Sequence, residues 1–290
     1  MLKTKLHKAG FIFTSFMLMA AASGNRKVTV TAGPSEIIKI ELPADSTGSH
    51  VFDTTGLCTC LPELNATEKE NAPRIQPHIL AQDFMETHLR DNGLYYEKIR
   101  TKSTPVFSMI DDIFDKYELP NELKYLAVVE SKLDNHIVSS AGAAGLWQFM
   151  PQAGRSFGLK VSGSNDERKN NYKSTVAAAK CLNYLHAQFG DWLLTLAAYN
   201  TGPAKILSAI KKAGSRDYWT IQRYLPAETR KHVLKFISVH YFFEGHGSLV
   251  TMSIGETNAH EKSVEEFVFN QGTAHPSTDS LQRGDAVRNQ

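Results

Sequence analysis

Cysteine is scarce in this chain: 290 residues contain three, Cys58, Cys60 and Cys181. An odd number cannot all pair within one chain, and three are too few to form a disulfide scaffold. Charge of one sign is lacking as well. Lys and Arg number 32 against 30 Asp and Glu, leaving +2, so no global field draws the chain to nucleic acid or to an anionic membrane. Nucleic acid is therefore not expected as a partner. The eleven histidines form no H-E-x-x-H pattern, no serine sits in a G-x-S-x-G elbow, and no phosphate-cradling glycine loop precedes a lysine. Neither a metal nor a cofactor is expected. Internal repeats are missing too. What is there is a core: 42% hydrophobic residues, with 15 Phe, 10 Tyr and 3 Trp. That composition excludes a wholly disordered, collagen-like or coiled-coil chain.

The N-terminus reads as a targeting segment. Lys3, Lys5 and Lys8 precede an apolar run from Phe11 to Met19, which passes into Ala20-Ala21-Ala22-Ser23-Gly24. The order is a basic stretch, an apolar stretch, then small residues suited to cleavage. The apolar run is shorter than the roughly 20 residues a spanning helix needs. Residues 1–23 are thus expected to be a signal peptide, and the protein to be exported to the periplasm or cell envelope. Membrane or cell-wall association and the oligomeric state stay open.

Residues 24–74 alternate short β-like stretches with Gly33-Pro34, Pro43, Gly48 and Pro62, and read as a linker or loosely structured leader. Cys58-Thr59-Cys60 lies inside it; a two-Cys unit without a second Cys/His pair is read as exposed or intermolecular thiols rather than a metal site. From about Ile75 apolar residues recur at three and four spacing through Ile79, Phe84 and Leu89, then Met109, Ile110, Ile113, Phe114 and Tyr117. That is the helical period. Further helices are expected over Glu122–Ser131, Thr175–Phe189, Trp192–Tyr199, Ala204–Ala213 and Glu228–Phe243, with strand signals nearly absent. Residues 75–245 are expected to form one mainly helical domain, and 246–290 a mostly disordered tail.

The helix after Pro120 carries Leu123, Leu126, Ala127 and Glu130 at i, i+3, i+4 and i+7. A carboxylate thus enters the apolar stripe, where it must find a partner, accept a proton or reach solvent at the helix edge. Glu130-Ser131 is followed by Ser139-Ser140-Ala141-Gly142-Ala143-Ala144-Gly145-Leu146-Trp147-Gln148-Phe149-Met150-Pro151. Ala198-Tyr199-Asn200-Thr201-Gly202-Pro203 follows, and then Leu225-Pro226-Ala227-Glu228-Thr229-Arg230-Lys231-His232-Val233.

These four elements, in order, resemble the lytic transglycosylase family with the soluble-transglycosylase, lysozyme-like domain, in particular the membrane-bound lytic murein transglycosylase D type without its LysM repeats. The resemblance implies a mainly α, lysozyme-like helical domain between a flexible N-terminal leader and a C-terminal tail. It implies Glu130 as the catalytic acid and a glycan cleft lined by Ser131, Ser139, Gln148, Met150, Tyr199, Asn200, Glu228 and His232, with peptidoglycan glycan strands as the partner. Two positions depart from the family pattern. Trp147 stands where Met is common, as cleft wall or as core, and His232 stands where Tyr is usual.

Glycoside hydrolysis ordinarily uses two carboxylates. Asp134 is near Glu130 in sequence, but Asp134-Asn135 reads as a turn former. The resemblance then implies a lone acid that cleaves the β-1,4 bond after N-acetylmuramic acid and leaves a 1,6-anhydro end. A hydrolytic muramidase of goose-lysozyme type and a non-catalytic glycan-binding protein are the alternatives.

Overall fold

The protein is described from a computed structural model covering residues 72–163 and 165–274. The expected signal peptide, most of the leader with Cys58 and Cys60, and residues 275–290 lie outside the described residues.

Helices dominate, as the periodicity predicts. Helix α1 spans Ile79–Arg100 and α2 spans Thr104–Lys116. Pro105 occupies the first turn of α2, where a missing N–H leaves no intrahelical bond unmade. The helix expected over Glu122–Ser131 divides into a 3-10 turn, Asn121–Lys124, and the short α3, Tyr125–Ser131. A loop then leads to α4, Pro151–Ser156. Strands β1 (Val161–Ser162) and β2 (Asn165–Asp166) pair antiparallel, with Val161 opposite Asp166.

The centre is built by α5, Asn171–Phe189, and α6, Trp192–Thr201, which pack on each other. Asn170 caps α5 by accepting from the Lys173 N–H at 2.9 Å, and Asp191 caps α6 through the Leu194 N–H at 2.8 Å. Each cap satisfies a donor that the first helical turn leaves free. Ala177, Ala178 and Leu182 of α5 and Leu193, Leu194 and Ala197 of α6 are all buried. Truncating Leu182 or Leu194 to Ala is expected to cost about 2–5 kcal/mol.

Helices α7 (Pro203–Ala213), α8 (Tyr218–Ile221) and α9 (Ala227–Glu244) complete the surround. Helix α9 packs along both α1 and α3. Tyr96 of α1 meets Phe242 of α9 at 5.4 Å between ring centroids, and the Arg100 guanidinium lies 4.5 Å from the same ring.

The disordered tail expected after Gly245 is not what stands at residues 249–274. A 3-10 turn covers Leu249–Thr251, and α10 runs over Ile254–Ala274. Its start is tied down by polar side chains from elsewhere in the chain. Asp191 accepts from the Ile254 N–H at 2.7 Å, and the Trp219 indole donates to Glu256 at 2.6 Å. Val250, Met252 and Val264 are buried. Apolar periodicity misses such a segment because its attachment rests on a few tertiary contacts rather than on a continuous apolar stripe.

Candidate active site

Glu130 sits in the last turn of α3 with its side chain 15% exposed. Its Oε1 lies 2.8 Å from Nε2 of His232, which projects from the second turn of α9 and is itself 8% exposed. The carboxylate in the apolar stripe has a partner after all, and it comes from a helix 102 residues further along. The other imidazole nitrogen, Nδ1 of His232, is buried and has no hydrogen-bond partner.

The chain turns back sharply just after Glu130. Lys132 and Leu133 adopt left-handed backbone, with φ of 58° and 65°. For residues with a Cβ this costs about 1–2 kcal/mol each. Leu133 packs on the core, and the Asp134 N–H donates to the Ser131 carbonyl at 3.0 Å, which together hold the turn. Asp134 accepts from the His136 N–H at 2.8 Å, so its carboxylate closes a local turn as the sequence predicts. On the flank of this turn the Lys132 ammonium lies 4.8 Å from the centroid of the exposed Tyr95 ring of α1.

The loop opposite is fastened at several points. Ser131 is buried and donates to the Ala127 carbonyl at 3.2 Å and the Leu146 carbonyl at 2.8 Å, joining α3 to the loop. Ser139 pairs with Ala143 twice, its N–H donating to the carbonyl at 2.8 Å and its Oγ accepting from the N–H at 3.0 Å. Gln148 has φ of 47°, and its amide donates to the carbonyls of Gly145 at 2.9 Å and Ile137 at 3.2 Å. Trp147 is fully buried with its indole donating to Thr175 Oγ1 at 2.9 Å, which settles its role as core. Its carbonyl accepts from the Tyr199 hydroxyl at 2.8 Å. Burial holds the Tyr199 phenol well above its usual range, and the neighbouring Cys181 and Glu130 push the same way, so it serves as a neutral donor.

The structure therefore brings Glu130 and His232 into direct contact, and Ser131, Ser139, Gln148 and Tyr199 into the frame around them. Met150, Asn200 and Glu228 are exposed at the end of the loop, the end of α6 and the first turn of α9.

One clamp escaped the sequence reading. Arg168 is buried, donates through Nη1 to the carbonyls of Gly142 at 2.7 Å and Phe149 at 2.8 Å, and forks onto Asp166 through Nε at 2.9 Å and Nη2 at 2.7 Å. The planar guanidinium suits this double task. Gly145 passes so close that a Cβ there would lie 1.9 Å from the Arg168 carbonyl oxygen. No residue spacing in the sequence points to Arg168; its one signal is Asp166, two residues earlier.

Known proteins match the middle of the chain. The model of the transglycosylase SLT domain matches residues 109–222. A protein of Alteromonas sp. (strain M-1) named for tributyltin chloride resistance is 31% identical over 147 residues, which cover 49% of this chain and 71% of that one. The chain belongs to the transglycosylase SLT domain family. It is also 38% identical over 153 residues to membrane-bound lytic murein transglycosylase D of Escherichia coli (strain K12), a match covering 51% of this chain and 33% of that relative. The chain thus spans about a third of the length of that relative. Among solved structures, the 70 kDa soluble lytic transglycosylase of Escherichia coli is similar, with 26% identity, a TM-score of 0.42 and coverage of 50% of this chain and 26% of that one. The family match spans α3, the clamped loop and α6, while α1, α9 with His232, and α10 lie outside it.

Proposed function

We propose that this chain is a lytic transglycosylase that cleaves the β-1,4 bond between N-acetylmuramic acid and N-acetylglucosamine in peptidoglycan and leaves 1,6-anhydro-muramic acid ends. The observation that carries this reading is the Glu130 carboxylate, largely enclosed and held by His232 Nε2 at 2.8 Å. The nearby Asp134 is turned onto its own backbone, so one carboxylate serves both steps. The protonated Glu130 carboxyl gives its proton to the glycosidic oxygen as the C1–O bond breaks, and the sugar's N-acetyl oxygen stabilises C1. Glu130, now a carboxylate, takes the proton of the 6-hydroxyl while O6 bonds to C1. No water is consumed, and Glu130 is restored. The intramolecular attack benefits from proximity, and the proton transfers from placement of the acid.

In this reading Ser139, Gln148, Met150, Tyr199, Asn200 and Glu228 line the glycan cleft, Ser131 joins the acid's helix to that wall, and His232 orients the acid. The order of basic, apolar and small residues at the N-terminus supports export to the cell envelope. No helix among the described residues is long and apolar enough to cross a membrane. The test is to incubate purified protein with peptidoglycan and weigh the released muropeptides. Anhydro ends, one water lighter than reducing ends, are expected; reducing ends would make the enzyme a hydrolase, and no release would overturn the reading.

A further inference from the structure

Two consecutive carbonyls meet the two halves of the candidate site. They belong to Arg168 and Lys169, in the 3-10 turn Glu167–Lys169 that links β2 to α5. The Arg168 carbonyl abuts the cleft loop at Gly145, where a Cβ would lie 1.9 Å from its oxygen. The Lys169 carbonyl accepts from the side-chain amide of Asn135 at 3.0 Å, and Asn135 is half-buried in the turn that follows Glu130. Its neighbour Asp134 closes that turn on the His136 N–H. Asn135 instead directs its amide out of the turn, to a carbonyl 34 residues along the chain.

The 3-10 turn is itself firmly seated. Glu167 accepts from the Lys160 N–H at 2.7 Å and from the Lys173 ammonium of α5 at 2.6 Å, and Asn170, the next residue after the turn, caps α5. From this seat Arg168 holds the loop at Gly142 and Phe149, and Asn135 fastens the turn after the acid to the same stretch of backbone. The two held pieces are also joined to each other. Ser131, next to Glu130, donates to the Leu146 carbonyl at 2.8 Å, and the Ile137 carbonyl accepts from the Gly145 N–H at 3.0 Å. Acid turn, loop and 3-10 turn therefore form a closed ring of hydrogen bonds, and the members of such a network act together rather than singly. The ring also bears on strain. Lys132 and Leu133 are left-handed, a conformation that persists only where the surroundings impose it, and the Asn135 bond lies two residues beyond them.

Resting on the reading of Glu130 as the acid, we propose that Asn135 is a positioning residue for the reaction: by fastening the turn after Glu130 to the backbone from which Arg168 carries the loop, it fixes the separation between the proton donor and the cleft wall. It acts through the backbone and not on the substrate.

The experiment measures muropeptide release by the full chain, well below the Tm of every variant, so that lost stability does not enter the rates. Misplacing a reacting group by ~1 Å costs about 100-fold. A turn freed at Asn135 but still tied through Ser131 moves less, so Asn135→Ala is expected to lower kcat by about tenfold and to change KM by less than about twofold. Arg168→Lys keeps the charge but loses the fork, and is expected to lower activity as well. A ring opened at one point loses little more when opened at a second, so the double variant should stay within about twofold of the weaker single one. Parent-like activity of Asn135→Ala, a loss confined to KM, or losses that multiply in the double variant each overturn the proposal. Should Arg168→Lys fail to fold, the division between kcat and KM in Asn135→Ala decides alone. If the parent releases nothing, it is the proposed activity that has failed, and amide exchange then reads the ring by itself: faster exchange of the Gly145 N–H in Asn135→Ala supports it, and unchanged exchange there overturns it.

Discussion

His232 meets Glu130 through Nε2 at 2.8 Å and leaves its own Nδ1 buried and unpartnered, so the contact has a polar loose end inside the protein. A buried polar atom without a partner costs about 1–3 kcal/mol. That cost weighs against the contact with Glu130. If Nε2 donates, Nδ1 carries only an unmet lone pair; if the Glu130 carboxyl donates, Nδ1 carries an unmet N–H.

That asymmetry gives a prediction for His232. His232→Tyr supplies one hydroxyl to Glu130 and no second polar atom, and is expected to keep activity within a few-fold of the parent while raising stability. His232→Phe removes the contact altogether and should lower kcat/KM by about tenfold or more, in line with the loss of a hydrogen bond to a charged group. Kinetics of muropeptide release together with denaturant midpoints check both, and a Phe variant as active as the parent would sink the orienting role.

Glu130→Gln keeps shape and removes the transferable proton. Turnover is expected to fall by at least ~100-fold, the usual worth of a positioned acid or base. Circular dichroism should show the fold retained. Product release near the parent rate from a folded variant would dismiss Glu130 as the acid.

Gly145→Ala adds a methyl where the Arg168 carbonyl oxygen would be 1.9 Å away, at a φ of 82° that side chains avoid. Overpacking and backbone strain together should destabilise by about 3 kcal/mol or more. Since Arg168 also holds Gly142 and Phe149, the whole loop with Ser139 and Gln148 should loosen, visible as faster amide exchange there. An unchanged urea midpoint would mean that the loop is not set by this close approach.

Acid should destabilise the fold through two histidines. Burial lowers His186 to about 4, and burial with the nearby His246 lowers His240 to about 3. An unfolded His titrates near 6.5. Above that value neither state binds the proton; below it the unfolded chain does and the folded chain does not, so stability falls as pH drops from about 6.5 towards 4. Asp191, raised by burial to about 6, acts in the opposite sense, losing stability as pH rises from about 4 to 6. The histidine contribution is therefore read by difference: His240→Gln should flatten the fall of Tm between pH 7 and pH 4.5, and parallel profiles would refute the assignment.

Much of this was legible beforehand because long helices announce themselves. The blocks around Thr175–Phe189 and Glu228–Phe243 appear as Asn171–Phe189 and Ala227–Glu244, since each has its own apolar repeat and a glycine beyond its end. Glu130 was legible as the one acid in an apolar stripe. Arg168 was not, because its value lies in reaching Gly142 and Phe149 across the fold. Neither was α10, whose residues look polar and whose anchors, Asp191 and Trp219, sit far back in the chain. The left-handed pair Lys132 and Leu133 contradicts local preference and is sustained by surroundings that a linear reading does not contain.

Asp191 spends one oxygen on the Leu194 N–H and the other on the Ile254 N–H, so a single carboxylate is the keystone of two helix beginnings. Asparagine would put an NH2 group in place of one of these two oxygens and face one of the N–H groups with a donor. The C-terminal helix is for that reason not an appendage to the α5 and α6 centre. Both helix starts share this one fastening, with the Trp219 bond to Glu256 as a second hold on the C-terminal helix alone.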